Sequence, residues 1–176
     1  ADIYGKGVRP NPPTDSAKEA GKYYADRDLA KARARAGFDV LAHHERVNAN
    51  KLAAMGYCFG GTMTLELARS GAPALGFVSF HGGLKPSTDE GKNIQGEVLI
   101  LHGADDPFVP KEDIAKFKTE MDSASVRWEM VSYPGAVHAF SNPKSGNNNA
   151  RGAAYNEAAD KASWEAMKVF FKRLLD

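Results

Sequence analysis

The chain has 176 residues, a length suited to one domain with a sizeable core, and a formal net charge of +1 with acidic and basic residues interspersed. That balance supplies neither a basic stripe for nucleic acid nor an acidic tail. No apolar run approaches the ~20 residues of a membrane span, and no charged and apolar leader opens the sequence. The single cysteine excludes an intramolecular disulfide and a C-x-x-C zinc or redox pair. It is either a buried filler or a nucleophile, and the scarcity of thiols fits a reducing, cytoplasmic setting.

The opening "ADIYGKGVRPNPPTD" carries several Gly and Pro residues and reads as a loop. Ser16 and Glu19 have the capping-box spacing, which starts a helix there. Helical character runs on through "KEAGKYYADRDLAKARARAGFDVLAHH", where Leu29, Ala32 and Ala36 follow a three-four spacing and Gly21 and Gly37 are candidate breaks. A turn at Asn48 to Asn50 closes this region. Short apolar runs then alternate with helical segments. "KLAAMGY" is a strand, followed by a helix from about Gly60 with Met63 and Leu67 on one face and Gly71 as its C-terminal cap. "ALGFVSF" and "EVLILHG" are further strands, the latter without polar alternation from Val98 to Leu101, as expected of a strand covered on both faces.

Pro110 opens a helix carrying Ile114, Phe117 and Met121, and "VRWEMVSY" alternates apolar with charged residues like a half-exposed edge strand. The last helix presents Trp164, Met167, Phe171 and Leu174 as one stripe. Strands alternating with helices predict an α/β domain whose mainly parallel sheet is flanked by helices. The segment "SNPKSGNNNARG" is a polar loop within that single domain, residues 1–176.

The cysteine lies in "GYCFGG", a strand, then G-x-C-x-G, then a helix: a nucleophile elbow with Cys58 in place of serine. Gly56 and Gly60 leave room for the sharp turn. The helix that follows aims its free amides at the sulfur, which favours thiolate, and the backbone N–H of Phe59 is the expected oxyanion donor. The same pattern requires an acid and then a histidine further along the chain. "LHGADDPFVP" supplies Asp105 and Asp106, and "YPGAVHAF" supplies His138, each in a turn after a strand, on the sheet edge where α/β folds bind ligands. By default Asp105 bonds a backbone amide in its turn. His81 and His102 both close strands and precede glycine; local packing or a hydrogen bond explains them, with pocket lining the alternative for His81. Tyr57, Phe59, Phe108 and Phe140 flank the three positions, either as pocket walls or as core. The "HHE" at His43 to Glu45 lacks the H-E-x-x-H spacing of a zinc site, so no metal is assigned.

"GYCFGG", "HGADDPFVP" and "GAVHAF" together resemble the dienelactone hydrolase family of α/β-hydrolases, and the resemblance extends through "ADIYG" and "AAYNEAADKASWEAM" over essentially the whole chain. It implies a Cys58–Asp106–His138 triad, with Asp106 selected because the family's aspartate stands third after glycine, here Gly103. It implies no cofactor, and a small-molecule ester or lactone as substrate. In the family, several strands, the loop donating a second oxyanion amide and a glutamate controlling the resting thiol precede "DIYG". The resemblance therefore marks this chain as the C-terminal portion of a longer domain. Where dienelactone-specific members hold a substrate carboxylate with arginines, this sequence has Lys6 and Asn142; Lys6 still offers a cation to an anionic group.

The expectation is thus an α/β-hydrolase-fold enzyme cleaving activated esters or lactones, with Tyr57, Phe108, Phe140 and Lys6 contacting substrate and no nucleic-acid or membrane partner. Two alternatives stand beside it. One is a non-catalytic module whose sheet edge pairs with a second chain or fragment supplying the missing N-terminal strands. The other is a redox-sensing thiol protein.

Overall fold

In the computed structural model, which describes residues 1–11, 14–87 and 89–176, four strands form one parallel sheet in the order β1-β2-β3-β4. These are β1 (Ala53–Tyr57), β2 (Gly76–Phe80), β3 (Glu97–Gly103) and β4 (Trp128–Tyr133). Tyr57 is in register with Phe80, Phe80 with Leu101, and Gly103 with Tyr133, so the C-terminal ends of all four strands open onto one edge. Helices α1 (Thr14–Ala25), α2 (Arg27–Ala42), α3 (Phe59–Arg69), α4 (Lys111–Ser123) and α5 (Glu157–Leu175) complete the fold.

The period-two alternation of the strands sorts the core into two layers. Phe77, Val98 and Ile100 face one side, packed with Leu65 and Leu67 of α3, Phe38 of α2 and Phe117 and Met121 of α4. Val78, Phe80, Leu99 and Leu101 face the other, against Met167 and Phe170 of α5. Every residue from Val98 to Gly103 is buried, and each apolar side chain from Val98 to Leu101 contributes about 1.5–3 kcal/mol, as a run with no alternation requires. β4 is an edge strand with mixed exposure, which explains its apolar–charged alternation.

Several local expectations are corrected. α1 begins at Thr14, two positions ahead of the capping box read at Ser16, while Pro12 and Pro13 of the expected opening loop lie outside the described residues. Neither Gly21 nor Gly37 breaks the helical region. The break falls at Asp26, whose side chain accepts the Leu29 N–H at 2.9 Å and caps α2. A helix-interior glycine costs only about 1 kcal/mol, which packing absorbs, whereas a carboxylate cap actively starts a new helix. α5 presents Ala159, Ser163, Met167 and Phe170 to the core and leaves Trp164 46% exposed. Of the expected stripe, Met167 lies in the core and Phe171 and Leu174 pack against it, so only Trp164 departs; small Ala159 and Ser163 complete the buried face instead.

The far end of α3 is fixed by charge. Arg69 is buried and donates from Nε and Nη2 to both oxygens of Glu120 on α4, at 2.9 and 2.7 Å, and from Nη1 to Glu66 at 2.9 Å. Arg27 of α2 donates to Glu66 at 2.7 Å, and Ser87 donates to Glu120 at 2.8 Å. Two helices, α2 and α4, and the loop after β2 are thereby tied to α3, the helix whose first turn holds the site.

Candidate active site

Cys58 sits between the end of β1 and the start of α3 with φ 53° and ψ −119°, a conformation costing about 1–3 kcal/mol that persists only when neighbours enforce it. Two features enforce it. The Cys58 N–H donates to the Phe80 carbonyl at 3.0 Å, fastening the turn to β2. At Gly56 a Cβ would stand 2.1 Å from the Gly60 carbonyl oxygen, so only glycine lets the strand and the first helical turn approach this closely. Gly60 itself has open space around its missing side chain, so the room expected of both glycines is needed only at the first. Cys58 occupies the N-cap position of α3 without a side-chain capping bond, leaving the exposed thiol free to point elsewhere.

It points to His138. Nε2 of His138 lies 3.0 Å from the Cys58 sulfur, and Nδ1 lies 2.8 Å from Oδ2 of Asp106. Asp106 is oriented by its other oxygen, which accepts the Phe108 N–H at 2.8 Å. Asp105 turns away and accepts the Gly135 N–H at 3.0 Å, so it bonds a backbone amide as expected, but one in the turn after β4 and not in its own turn. His138 is held on both sides of its peptide: its N–H donates to Gly152 at 3.1 Å and its carbonyl accepts from Ala154 at 3.0 Å. The end of the polar 141–152 loop and Ala154 just beyond it therefore fold back to hold the His138 backbone.

This linear chain sets the charges. Burial works against a cationic His138, but the hydrogen bonds to Asp106 and Cys58 outweigh it and push the imidazole up to about 9. Burial also works against a Cys58 thiolate, yet the His138 hydrogen bond, its charge and the Phe59 amide bring the thiol below its ordinary value. The two shifts describe one coupled pair that favours thiolate and imidazolium together.

Around the sulfur lies a depression of about 470 Å³ lined by Tyr57, Cys58, His81, Ala139, Ser141 and Asn142. Tyr57 stacks on Phe80 with ring centroids 4.4 Å apart, and the exposed Phe108 stands edge-on to His138 at 5.4 Å. Phe140, expected to touch substrate, is instead fully buried against Tyr133 and His81. Its ring backs the site and does not line it, because the chain turns inward after Ala139. Lys6 is exposed in the opening loop and lies outside the depression. On the opposite flank, Tyr4, Tyr23 and Tyr24 surround the Phe59 ring at centroid distances of 5.2, 5.8 and 5.6 Å. Burial, with the Cys58 charge adding to it, pushes the Tyr24 phenol up to about 12. Sequence reasoning missed this aromatic group. Its signal was the pair of tyrosines in "GKYYAD", which read simply as helix.

A parallel sheet flanked by helices, with a sharp strained turn between a strand and a helix, defines the α/β-hydrolase class of fold. The profile of the Dienelactone hydrolase family matches residues 1–175, and the chain belongs to that family. It is 32% identical over 149 residues to an uncharacterised protein of Caenorhabditis elegans, with 81% of this chain and 92% of that one aligned. A solved dienelactone hydrolase-like promiscuous phosphotriesterase from metagenomic libraries superposes with a TM-score of 0.91 at 38% identity, covering 100% of this chain and 74% of that one. A candidate carboxymethylenebutenolidase of Saccharolobus solfataricus is 30% identical over 145 residues, 77% of this chain and 51% of its own length. The chain therefore spans about half the length of that relative. Among the described residues, no helix is long and apolar enough to cross a membrane.

Proposed function

We propose that this chain hydrolyses activated carboxylic esters or lactones through a thioester on Cys58. The observation that carries this reading is the unbroken Cys58–His138–Asp106 chain, at 3.0 and 2.8 Å, beside an open depression. The Cys58 thiolate attacks the carbonyl carbon, and the displaced π pair becomes an oxyanion stabilised by the Phe59 N–H. Collapse of this adduct breaks the C–O bond, and the departing oxygen takes the proton from His138 Nε2. The neutral imidazole, held in one tautomer by Asp106, then removes a proton from water as its oxygen attacks the thioester. Collapse of the second adduct releases the acid and returns the thiolate. A thiolate is itself a good leaving group, so enol lactones and aryl esters suit this site better than amides. Tyr57 and Phe108, partly exposed on either side of the reacting groups, are the proposed substrate contacts, and Lys6 is a more distant cation for an anionic substituent.

Turnover of p-nitrophenyl acetate, lost in both Cys58→Ala and His138→Ala, with alkylation located at Cys58 by mass spectrometry, is the expected result. Turnover that survives Cys58→Ala would overturn the reading. The 38% identical phosphotriesterase supports a second activity on the same atoms, attack of the thiolate on the phosphorus of an activated triester. Release of p-nitrophenol from a dialkyl p-nitrophenyl phosphate, dependent on Cys58, would support it; none above background would remove it.

The partner proposed is a β-strand from a second chain or fragment. β1 is an edge of the sheet, and Met55 is 38% exposed on it. A monodisperse, fully active monomer of residues 1–176 whose activity no added fragment changes would count against that partner.

A further inference from the structure

The turn after β2 sets a second imidazole against the Cys58–His138 pair. His81 is 3% exposed, its Nε2 lies 2.8 Å from the Ser141 hydroxyl oxygen, and its N–H donates to the Leu101 carbonyl at 2.8 Å. Its ring stands edge-on to the His138 ring, with centroids 5.2 Å apart and planes at 65°, and edge-on to Phe140 at 5.1 Å. Two strained corners meet here: His81 has φ 37° and Ala139, the residue after His138, has φ 56°. Neither is glycine, and conformations of this kind persist only where surrounding contacts over-determine them. The hydrogen bond between His81 and Ser141 joins the two corners directly.

We infer that His81, acting through Ser141, is a positioning residue for His138, holding Nε2 within reach of the Cys58 sulfur. This rests on the reading of Cys58 and His138 as the reacting pair. His81 is not itself a catalytic residue: its ring is buried and its Nε2 is already engaged. Its charge state suits the role, because burial, with His138 adding to it, lowers the imidazole to about 4. The titratable groups facing it are His138, Asp106, His102 and the Tyr57 phenol, whose ring centroid lies 6.0 Å away. A neutral ring beside His138 does not oppose the imidazolium that the thiolate requires.

The test uses His81→Phe, Ser141→Ala and the double variant. His81→Phe keeps an aromatic ring, and Ser141→Ala alters a half-buried loop side chain, so the second variant decides the matter if the first fails to fold. Each single change is expected to lower kcat on p-nitrophenyl acetate about tenfold with KM unchanged, the size of effect that loss of alignment produces. The double variant should be no worse than either single one, because all three lack the same bond. The decisive readout is the pH dependence of Cys58 alkylation, which needs no ester turnover. A looser His138 raises the pH at which the thiolate forms, and a purely structural loss leaves that pH unchanged. An alkylation profile in Ser141→Ala identical to wild type, or losses that multiply in the double variant, would overturn the inference. A wild-type profile at the ordinary thiol value would instead sink the reading of Cys58 on which it rests.

Discussion

The Val137 carbonyl oxygen lies 2.7 Å from the point where a Cβ on Gly103 would stand, and the Ala136 carbonyl oxygen is equally near. The segment leading to His138 thus crosses directly over the end of β3. Replacing Gly103 with alanine must lift that crossing or shift the strand, and His138 rides on it. Gly103→Ala is expected to lower kcat on p-nitrophenyl acetate by tenfold to about a hundredfold. A variant with wild-type kcat would show that the crossing does not position His138.

The two neighbouring aspartates should separate cleanly. Asp106→Asn retains a group for the Phe108 N–H but loses the negative charge facing His138 Nδ1, and the rate should fall by about 10³-fold or more. Asp105→Ala removes one bond to the Gly135 N–H, and it should cost about 1 kcal/mol of stability with kcat changed only a few-fold. Steady-state rates and urea melts of the two variants check this; equal rate losses would contradict the assignment of Asp106.

In the proposed mechanism the active protonation state is thiolate with imidazolium, so kcat/KM should trace a bell. Its acid limb reports protonation of Cys58 and falls below the ordinary thiol value, because the thiol is lowered. Its alkaline limb reports loss of the His138 proton and falls near 9. Both belong to the coupled pair rather than to either residue alone. Activity that is low through the ordinary histidine value and keeps rising through the ordinary thiol range, with no fall near 9, would contradict this charge state.

Arg69 is the group most exposed to loss by a single change in the ionic cluster. Arg69→Ala leaves Glu120 buried without its cation and Glu66 with Arg27 alone, and should destabilise the fold by about 3–5 kcal/mol. Burial opposes ionisation of Glu120, and the Arg69 hydrogen bonds and charge outweigh it, so the carboxyl is held low. That part of the stability is present above the unfolded carboxylate range and lost as pH falls through the lowered value. Urea midpoints at neutral and acid pH test both statements. A midpoint in Arg69→Ala equal to wild type would show the cluster to be energetically idle.

The strands were legible in sequence because dense apolar runs such as "VLIL" end at glycine, and their order follows from alternation with helices. Cys58, Asp106 and His138 were legible for a related reason: each stands in the turn that follows a parallel strand, and all such turns share one edge. What escaped notice depends on contacts between distant segments. Nothing local marks Asp26 over Gly21 as the helix break until the Leu29 amide is seen to need a cap. Phe140 carries the same apolar signal as Tyr57, and only the inward turn after Ala139 buries one while the other stays open. The His81–Ser141 bond joins a strand end to a loop of polar residues whose sequence is featureless.

The sulfur follows β1 and the imidazole follows β4, at opposite edges of a sheet roughly 14 Å across at ordinary strand spacing. Their 3.0 Å approach is made only by the segment between β4 and α5, clamped by the 141–152 loop. Reactivity therefore depends on that one segment staying docked across the sheet. Mild denaturant should silence the thiol while the circular dichroism of the strands and helices is still intact.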